Sequence, residues 1–472
     1  MRVLILALLA VAATAAQAPA PSGPIRTMRV DYFHTGDARQ ELFSFDEAVI
    51  EPSVWSGHAG REVDPIKYGA YGFDVRDAAS KMLLFSRGFG SIFDEWSTTD
   101  EATKMTRTFH ESVRFPTPRA PVTVTIRKRV GGGPGDDTAW RDLWTTTIDP
   151  ANMFVNPARP EPSPGALIEL EKHGDPANKV DLLILGDGYT AGERRKFEAD
   201  SKRLLMVLFS TSPFKERRAD FNVWGLVPAA KESGISRPST GVHRSNPISS
   251  TYDAFGSERY VLAFDNKAFR RYASYAPYDV VEIVVNARTY GGGGIYGLYS
   301  TVAADSAEAP YVFVHEFGHH FAALADEYYT SPVAYLPATK RDEPWEPNIS
   351  ALLDPATLKW KDLVTPGTPL PTPWEKEAYE KRSRAYQEVR NRLRAENRPE
   401  AEMEALFARN KQEDAAMFAK YKGVVGAFEG ARYEATGYYR PSADCIMFTR
   451  ADFFCAVCRR ALDRVIDTYS RN

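Results

Sequence analysis

His315, Glu316 and His319 carry the clearest chemistry in the chain, as two imidazoles four residues apart with a carboxylate beside the first. On an α-helix this spacing sends both rings from one face, a turn apart, with Glu316 next to them. Neutral imidazoles ligate zinc, and an adjacent carboxylate can take a proton from water. Val312, Phe317, Phe321 and Leu324 recur at the spacing of a core-facing stripe, so residues 311–329 should have one wet and one dry face. A solvated surface pair or a hydrogen-bonded core histidine is the competing account. With eight histidines in 472 residues, the pattern favours metal chemistry over it. His320 lies about 100° round the helix and reads as a partly buried packing residue.

Catalytic zinc takes three protein ligands and keeps one position open, so the motif is incomplete by itself. Asp326 returns to the same helix face, but a continuous helix would carry it about 10 Å further along the axis. The helix must therefore end between Phe321 and Ala325 and fold back if Asp326 is a ligand. Ala322 and Ala323 stand where a glycine would ease that turn. Glu327, and a later glutamate such as Glu343 or one in the region that follows, remain alternatives. Met447, after Pro441 and ahead of the last helix, is either a buried turn beneath a zinc site or ordinary core packing. Tyr439 or Arg440 could stabilise an oxyanion or be structural.

The elements that must position these residues follow from the pattern. Residues 180–188 and 279–287 read as buried strands, 193–209 and 266–275 as helical, and 221–227 as a further strand before a glycine-rich run at 291–294. The expectation is a mixed sheet backed by helices, its last strand feeding the motif helix. Gly186, Gly188 and Ala191 match part of a dinucleotide fingerprint, but the strand at 221–227 ends at Pro228 with no acidic residue, so they read as a tight turn. Residues 374–422 read as a two-helix insertion broken before Pro399. Residues 28–160 consist of short strand-like runs between turn signals, as in a β-sandwich, with no gathering of catalytic groups. The proline-rich residues 156–165 read as a linker, giving an N-terminal β-rich domain at 19–160 and a second domain at 166–472.

Residues 1–18 have the charged start, apolar run and small-residue end of a signal peptide, with cleavage after Ala15, Ala16 or Ala18. No later run is long enough to span a bilayer, so the expected location is periplasmic or extracellular. A net charge of −3 with mixed-sign clusters argues against nucleic acid as a partner. The oligomeric state is not legible. In an oxidising compartment, Cys445, Cys455 and Cys458 suggest one disulfide, Cys445 with Cys455 or Cys458, plus a leftover thiol. A zinc ribbon would need four such ligands.

HEFGHHFAALADEYY, with GDGYT and GGGGIYG upstream and FEGARY, YYRPSADCIM and CAVC downstream, resembles the IgA peptidase family of zinc metallopeptidases, family M64. YFHTGDA near the start resembles the family's leading domain. The resemblance implies a zincin, metzincin-like fold in the second domain. It also implies one Zn2+ on His315, His319 and Asp326, with Glu316 as general base. The chain departs from the family pattern at Ala322, where glycine is usual, and at Phe448, where a basic residue is usual, which bears on the substrate rim. No residue here carries over immunoglobulin A as substrate.

The expected reaction is hydrolysis of a protein or peptide by a zinc-activated water, with Glu316 moving the proton. An extended substrate would add to the strand near residues 296–303. A secreted binding or adhesion protein with a closed structural zinc site, and a metallohydrolase of non-peptide bonds, are the alternatives.

Overall fold

The computed structural model describes residues 24–131, 140–158, 163–337 and 340–470. The expected signal peptide, most of the glycine turn after 130 and the centre of the expected linker lie outside these residues.

The chain begins with β1 (Arg26–Gly36), β2 (Glu41–Val54), β3 (Tyr71–Asp77) and β4 (Leu83–Phe89), then the short helix α1 (Ile92–Ser97). β5 (Arg107–Pro116), β6 (Val122–Arg129), β7 (Trp140–Ile148) and β8 (Val155–Asn156) follow. They form two four-stranded sheets, ordered β5-β1-β2-β8 and β4-β3-β6-β7. Alternation along β6 buries Val122, Val124 and Ile126 and turns Thr123, Thr125 and Arg127 outward. These residues join Met28, Val30, Tyr71, Phe73 and Phe115 in one core between the sheets. Helix α1 is unexpected from the sequence. Ser91 caps it by accepting from Asp94 N–H, and Phe93 and Trp96 pack into the core of the next sheet.

That sheet begins with β9 (Ile168–Glu171) and β10 (Val180–Asp187), followed by helix α2 (Arg194–Leu208) and β11 (Phe221–Leu226). A two-stranded ribbon, β12 (Ser250–Thr251) with β13 (Leu262–Ala263), precedes α3 (Asn266–Ala273). Then come β14 (Val280–Val285), β15 (Gly292–Ile295), β16 (Tyr299–Ala303) and the motif helix α4 (Ala309–Ala322). The sheet order is β15-β16-β14-β10-β11-β9, with four parallel strands between antiparallel edges. β10, β11 and β14 are buried along their whole length because both faces are covered. On one face Leu182 and Ile184 meet Phe197 and Leu204 of α2 and Phe317 and Phe321 of α4. On the other, Leu183 and Ile283 meet Phe269 of α3 and Trp96 of α1.

The glycines after β10 serve packing. Gly188 has φ +75, and a Cβ there would lie 2.6 Å from Gly234 O, while one on Gly186 would lie 2.8 Å from Phe197.

Helices α5 (Lys376–Ala395) and α6 (Glu400–Phe418) form the expected insertion, but it is docked, since Met403, Leu406 and Phe407 enter the main core. The hairpin of β17 (Phe428–Ala431) with β18 (Glu434–Arg440) and the last helix, α7 (Ala456–Tyr469), complete the fold.

Candidate metal centre

Helix α4 is buried nearly all round, so the expected wet face is the floor of a cleft. A structure this enclosed is possible because β15 is glycine-rich. A Cβ on Gly294 would lie 2.4 Å from Glu316 O, and one on Gly292 would lie 2.4 Å from Val312.

Both motif imidazoles are aimed by main-chain carbonyls. His315 Nδ1 donates to Ile446 O at 2.9 Å and His319 Nδ1 to Leu324 O, which turns both Nε2 atoms toward Asp326. The Nε2 atoms lie 3.1 Å apart. Asp326 Oδ1, buried and without a hydrogen-bond partner, faces them at 3.1 and 3.3 Å. Ligands at the usual zinc distances in a tetrahedron lie about 3.3 Å apart, so this donor set fits the ion. The carboxylate of Glu316 lies with the two imidazoles in a cluster whose candidate ligand atoms are within 4.8 Å of one another.

Asp326 reaches the histidines because the helix stops early. Ala323 takes the left-handed conformation at φ 55, ψ 30, and its N–H returns to His319 O. The turning residue is therefore Ala323, one beyond the Ala322 singled out by the family pattern. Asn348 holds the returning strand, accepting from Ala325 N–H at 2.8 Å and donating to Ala325 O at 2.9 Å. Tyr433 donates to Asp326 Oδ2 at 2.6 Å, leaving Oδ1 for the histidines.

The charges are strongly coupled. Burial opposes ionisation of Asp326, but His319 and His315 hold its carboxyl well below the usual range. Burial likewise works to lower His319, yet Asp326 and Glu316 hold it up to about 9. Burial pushes Glu316 up, against the pull of His315 and His319. Behind it in β14, Glu282 accepts from Ser300 Oγ at 2.6 Å, and burial holds it well above the ordinary carboxyl value.

A family model described as IgA Peptidase M64 matches residues 168–466, and one described as Peptidase M64 N-terminus matches residues 24–133. The chain belongs to the M64 peptidase family. No curated protein matches it. Membership makes the chain a peptidase, a hydrolase whose substrate is protein or peptide. Among the described residues no helix is long and apolar enough to cross a membrane.

The cleft of this M64 peptidase has a volume of about 550 Å³ and is lined by both halves of the chain. Ser91, Asp94, Glu95 and Thr98 share it with His315 and Glu316. The N-terminal residues thus do contribute polar groups to the site, contrary to expectation, because α1 packs against the main sheet. Tyr260 and Tyr335 donate to Glu95, the latter at 3.1 Å, while burial pushes its carboxyl up to about 7.

Several sequence expectations are redirected. Arg440 is fully buried, donating to Gly430 O at 2.7 Å and lying 3.7 Å over Phe448, so it braces the β17–β18 hairpin. Tyr439 pairs through its backbone with Ser350 and does not line the cleft, whereas Tyr433, Tyr328 and Arg259 do. Phe448 is buried beneath Arg440 among Tyr329, Tyr379 and Phe418, away from any substrate rim. Glu343 accepts from Ser350 Oγ–H and Ala351 N–H and pairs with Lys359. Met447 does lie beneath the motif, its sulfur 3.1 Å from where a Cβ on Gly318 would stand. His320 is more than half-buried packing. Its ring is fully enclosed, accepting from Val281 N–H and meeting Ile295 O at 3.1 Å each. β16 is an interior strand, so the outer edge belongs to β15, whose Gly292 is already bridged by Tyr260. The expected disulfide is absent. All three cysteines are free and buried, with Cys445 Sγ and Cys458 Sγ 3.8 Å apart.

Proposed function

We propose that the chain is an exported zinc endopeptidase with a metzincin-like catalytic domain at 166–472, an N-terminal domain at 19–160 and a signal peptide at 1–18. The observation that carries the reading is the convergence of His315 Nε2, His319 Nε2 and Asp326 Oδ1 in an open cleft beside Glu316.

His315, His319 and Asp326 would hold the ion. When bound, zinc supplies Lewis acidity toward a carbonyl and brings the pKa of water toward about 7. Glu316 takes a proton from the attacking water and passes it to the leaving amine. Tyr433 keeps Asp326 oriented, and Tyr328, which accepts from Arg259 at 3.2 Å, offers a hydroxyl toward developing negative charge. Gly292 exchanges backbone bonds outward with Arg259 and Val261, so by the alternation of an antiparallel strand Gly294 also faces outward. An extended peptide pairing there would lie across Glu316.

The test is Glu316→Gln. It should keep its metal and lose hydrolysis of a peptide library by about 10³-fold. Undiminished cleavage would overturn the mechanism. The openness of the three-ligand site favours an enzyme over a binding protein with a closed structural zinc. For export, the mature N-terminus should fall at residue 16, 17 or 19, and a secreted product retaining Met1 would refute it.

A further inference from the structure

Beneath the cleft, on the far side of the segment that bears Asp326, Cys445, Cys455, Cys458 and Glu327 turn inward on one another. Their candidate ligand atoms all lie within 4.8 Å of one another, and all four residues are buried. We propose that these four residues form a second, structural zinc site, built from three thiolates and one carboxylate.

The distances match a shared ion better than either alternative. A disulfide needs sulfurs about 2.05 Å apart. Two thiolates on a tetrahedral zinc lie about 3.8 Å apart, and a thiolate and a carboxylate oxygen about 3.5 Å apart. Cys445 Sγ and Cys458 Sγ are separated by 3.8 Å, and Cys458 Sγ and Glu327 Oε1 by 3.4 Å. Simple packing would surround three thiols with apolar groups, yet Glu327 enters the cluster fully buried, with Oε2 lacking any hydrogen-bond partner. A buried carboxyl left in that state is costly unless a cation completes it.

The local scaffold suits such a site. Cys455 caps α7 and Cys458 lies in its first turn, so the two thiols share a helix face. Cys455 N–H donates to Cys445 Sγ at 3.3 Å, a bond that supports a thiolate. Asn348 donates to Glu327 Oε1 at 2.9 Å and so fixes the carboxylate's orientation. Three thiolates and a carboxylate around one divalent ion leave two negative charges, and the buried guanidinium of Arg440 acts on Glu327 electrostatically.

The ion would tie together the segments that shape the catalytic centre. Glu327 directly follows Asp326, and its N–H donates to Met447 O at 2.8 Å. Cys445 directly precedes Ile446, whose carbonyl orients His315. The second zinc is thus a positioning device for both a ligand and the carbonyl that aims another.

The test is a metal count and X-ray absorption spectroscopy on the full chain purified with zinc. Two zinc ions per chain are expected, with about one and a half sulfur neighbours per zinc at about 2.3 Å. His315→Ala/His319→Ala should retain one zinc with three sulfur neighbours, while Cys458→Ser should lose sulfur ligation. Neither readout depends on peptide hydrolysis. A disulfide between any two of the cysteines, iron in place of zinc, or a sulfur-free shell around zinc in the unmodified protein would each overturn the proposal.

Discussion

Tyr433 shows how a single hydroxyl can decide which carboxylate oxygen faces a pair of imidazoles. By occupying Asp326 Oδ2 it directs Oδ1 to the histidines. Tyr433→Phe should lower metal affinity or turnover by about 10- to 100-fold, measured by zinc titration and peptide cleavage, while Tyr439→Phe should change neither. The histidines and Glu316 were legible because one helical period brings them together. Tyr433 was not, because it is 107 residues from Asp326 and sits among equally placed tyrosines. Its left-handed backbone, shared with Arg432, turns it toward Asp326 and leaves no mark in the sequence. Glu327 was weighed as a rival for the cleft. Adjacent residues on an extended segment face opposite ways, so Asp326 and Glu327 serve different clusters. Glu282 went unnoticed in the sequence: it stands as a lone acid in the apolar run of β14, and its partner Ser300 comes from another strand.

At the scale of elements, the end of α4 is the decisive turn. Ala323 is buried and left-handed. Ala323→Gly relieves about 1–2 kcal/mol of backbone strain and gives up about 0.8 kcal/mol of methyl burial. A net gain of about 0.2–1.2 kcal/mol is expected in urea denaturation, with zinc binding intact. Ala323→Val places a β-branched side chain where it is disfavoured, and should prevent the fold-back and release the metal from His315 and His319. The need for this turn was readable from the helix pitch. Its position was not, because an alanine gives no sign that it will adopt positive φ. The parallel strands and helices α2, α3, α5 and α6 were legible from periodicity. β15 was read only as a glycine-rich run ahead of the strand near 296–303, since glycines do not announce a strand unless a helix lies close enough to require the absence of side chains.

Across the whole molecule, the two halves share the cleft wall, and the N-terminal half has its own charged centre. His34 is fully buried between Glu41 and Glu111, 3.1 Å from each, and is stacked between Phe43 and Phe93. Burial alone would lower its pKa, but Glu111 and Glu41 raise it above the ordinary value. A raised histidine contributes stability fully below about pH 6.5 and loses it as pH climbs through the folded value. His34→Gln should cost about 3 kcal/mol at pH 6 and flatten the alkaline fall in stability, as read from urea midpoints across pH. The strands around His34 were legible, but the contact of α1 with Tyr260 and Tyr335 was not, because it joins residues up to 240 apart.

The carbonyl that aims His315 belongs to Ile446, 131 residues downstream. A ribosome that has released α4 has therefore made both histidines and the glutamate, but not the group that orients the first of them. If the proposed reaction is right, competence waits until the segment around Ile446 has been made and has folded against α4. A nascent or C-terminally clipped chain would carry the whole motif and remain harmless to the polypeptides around it.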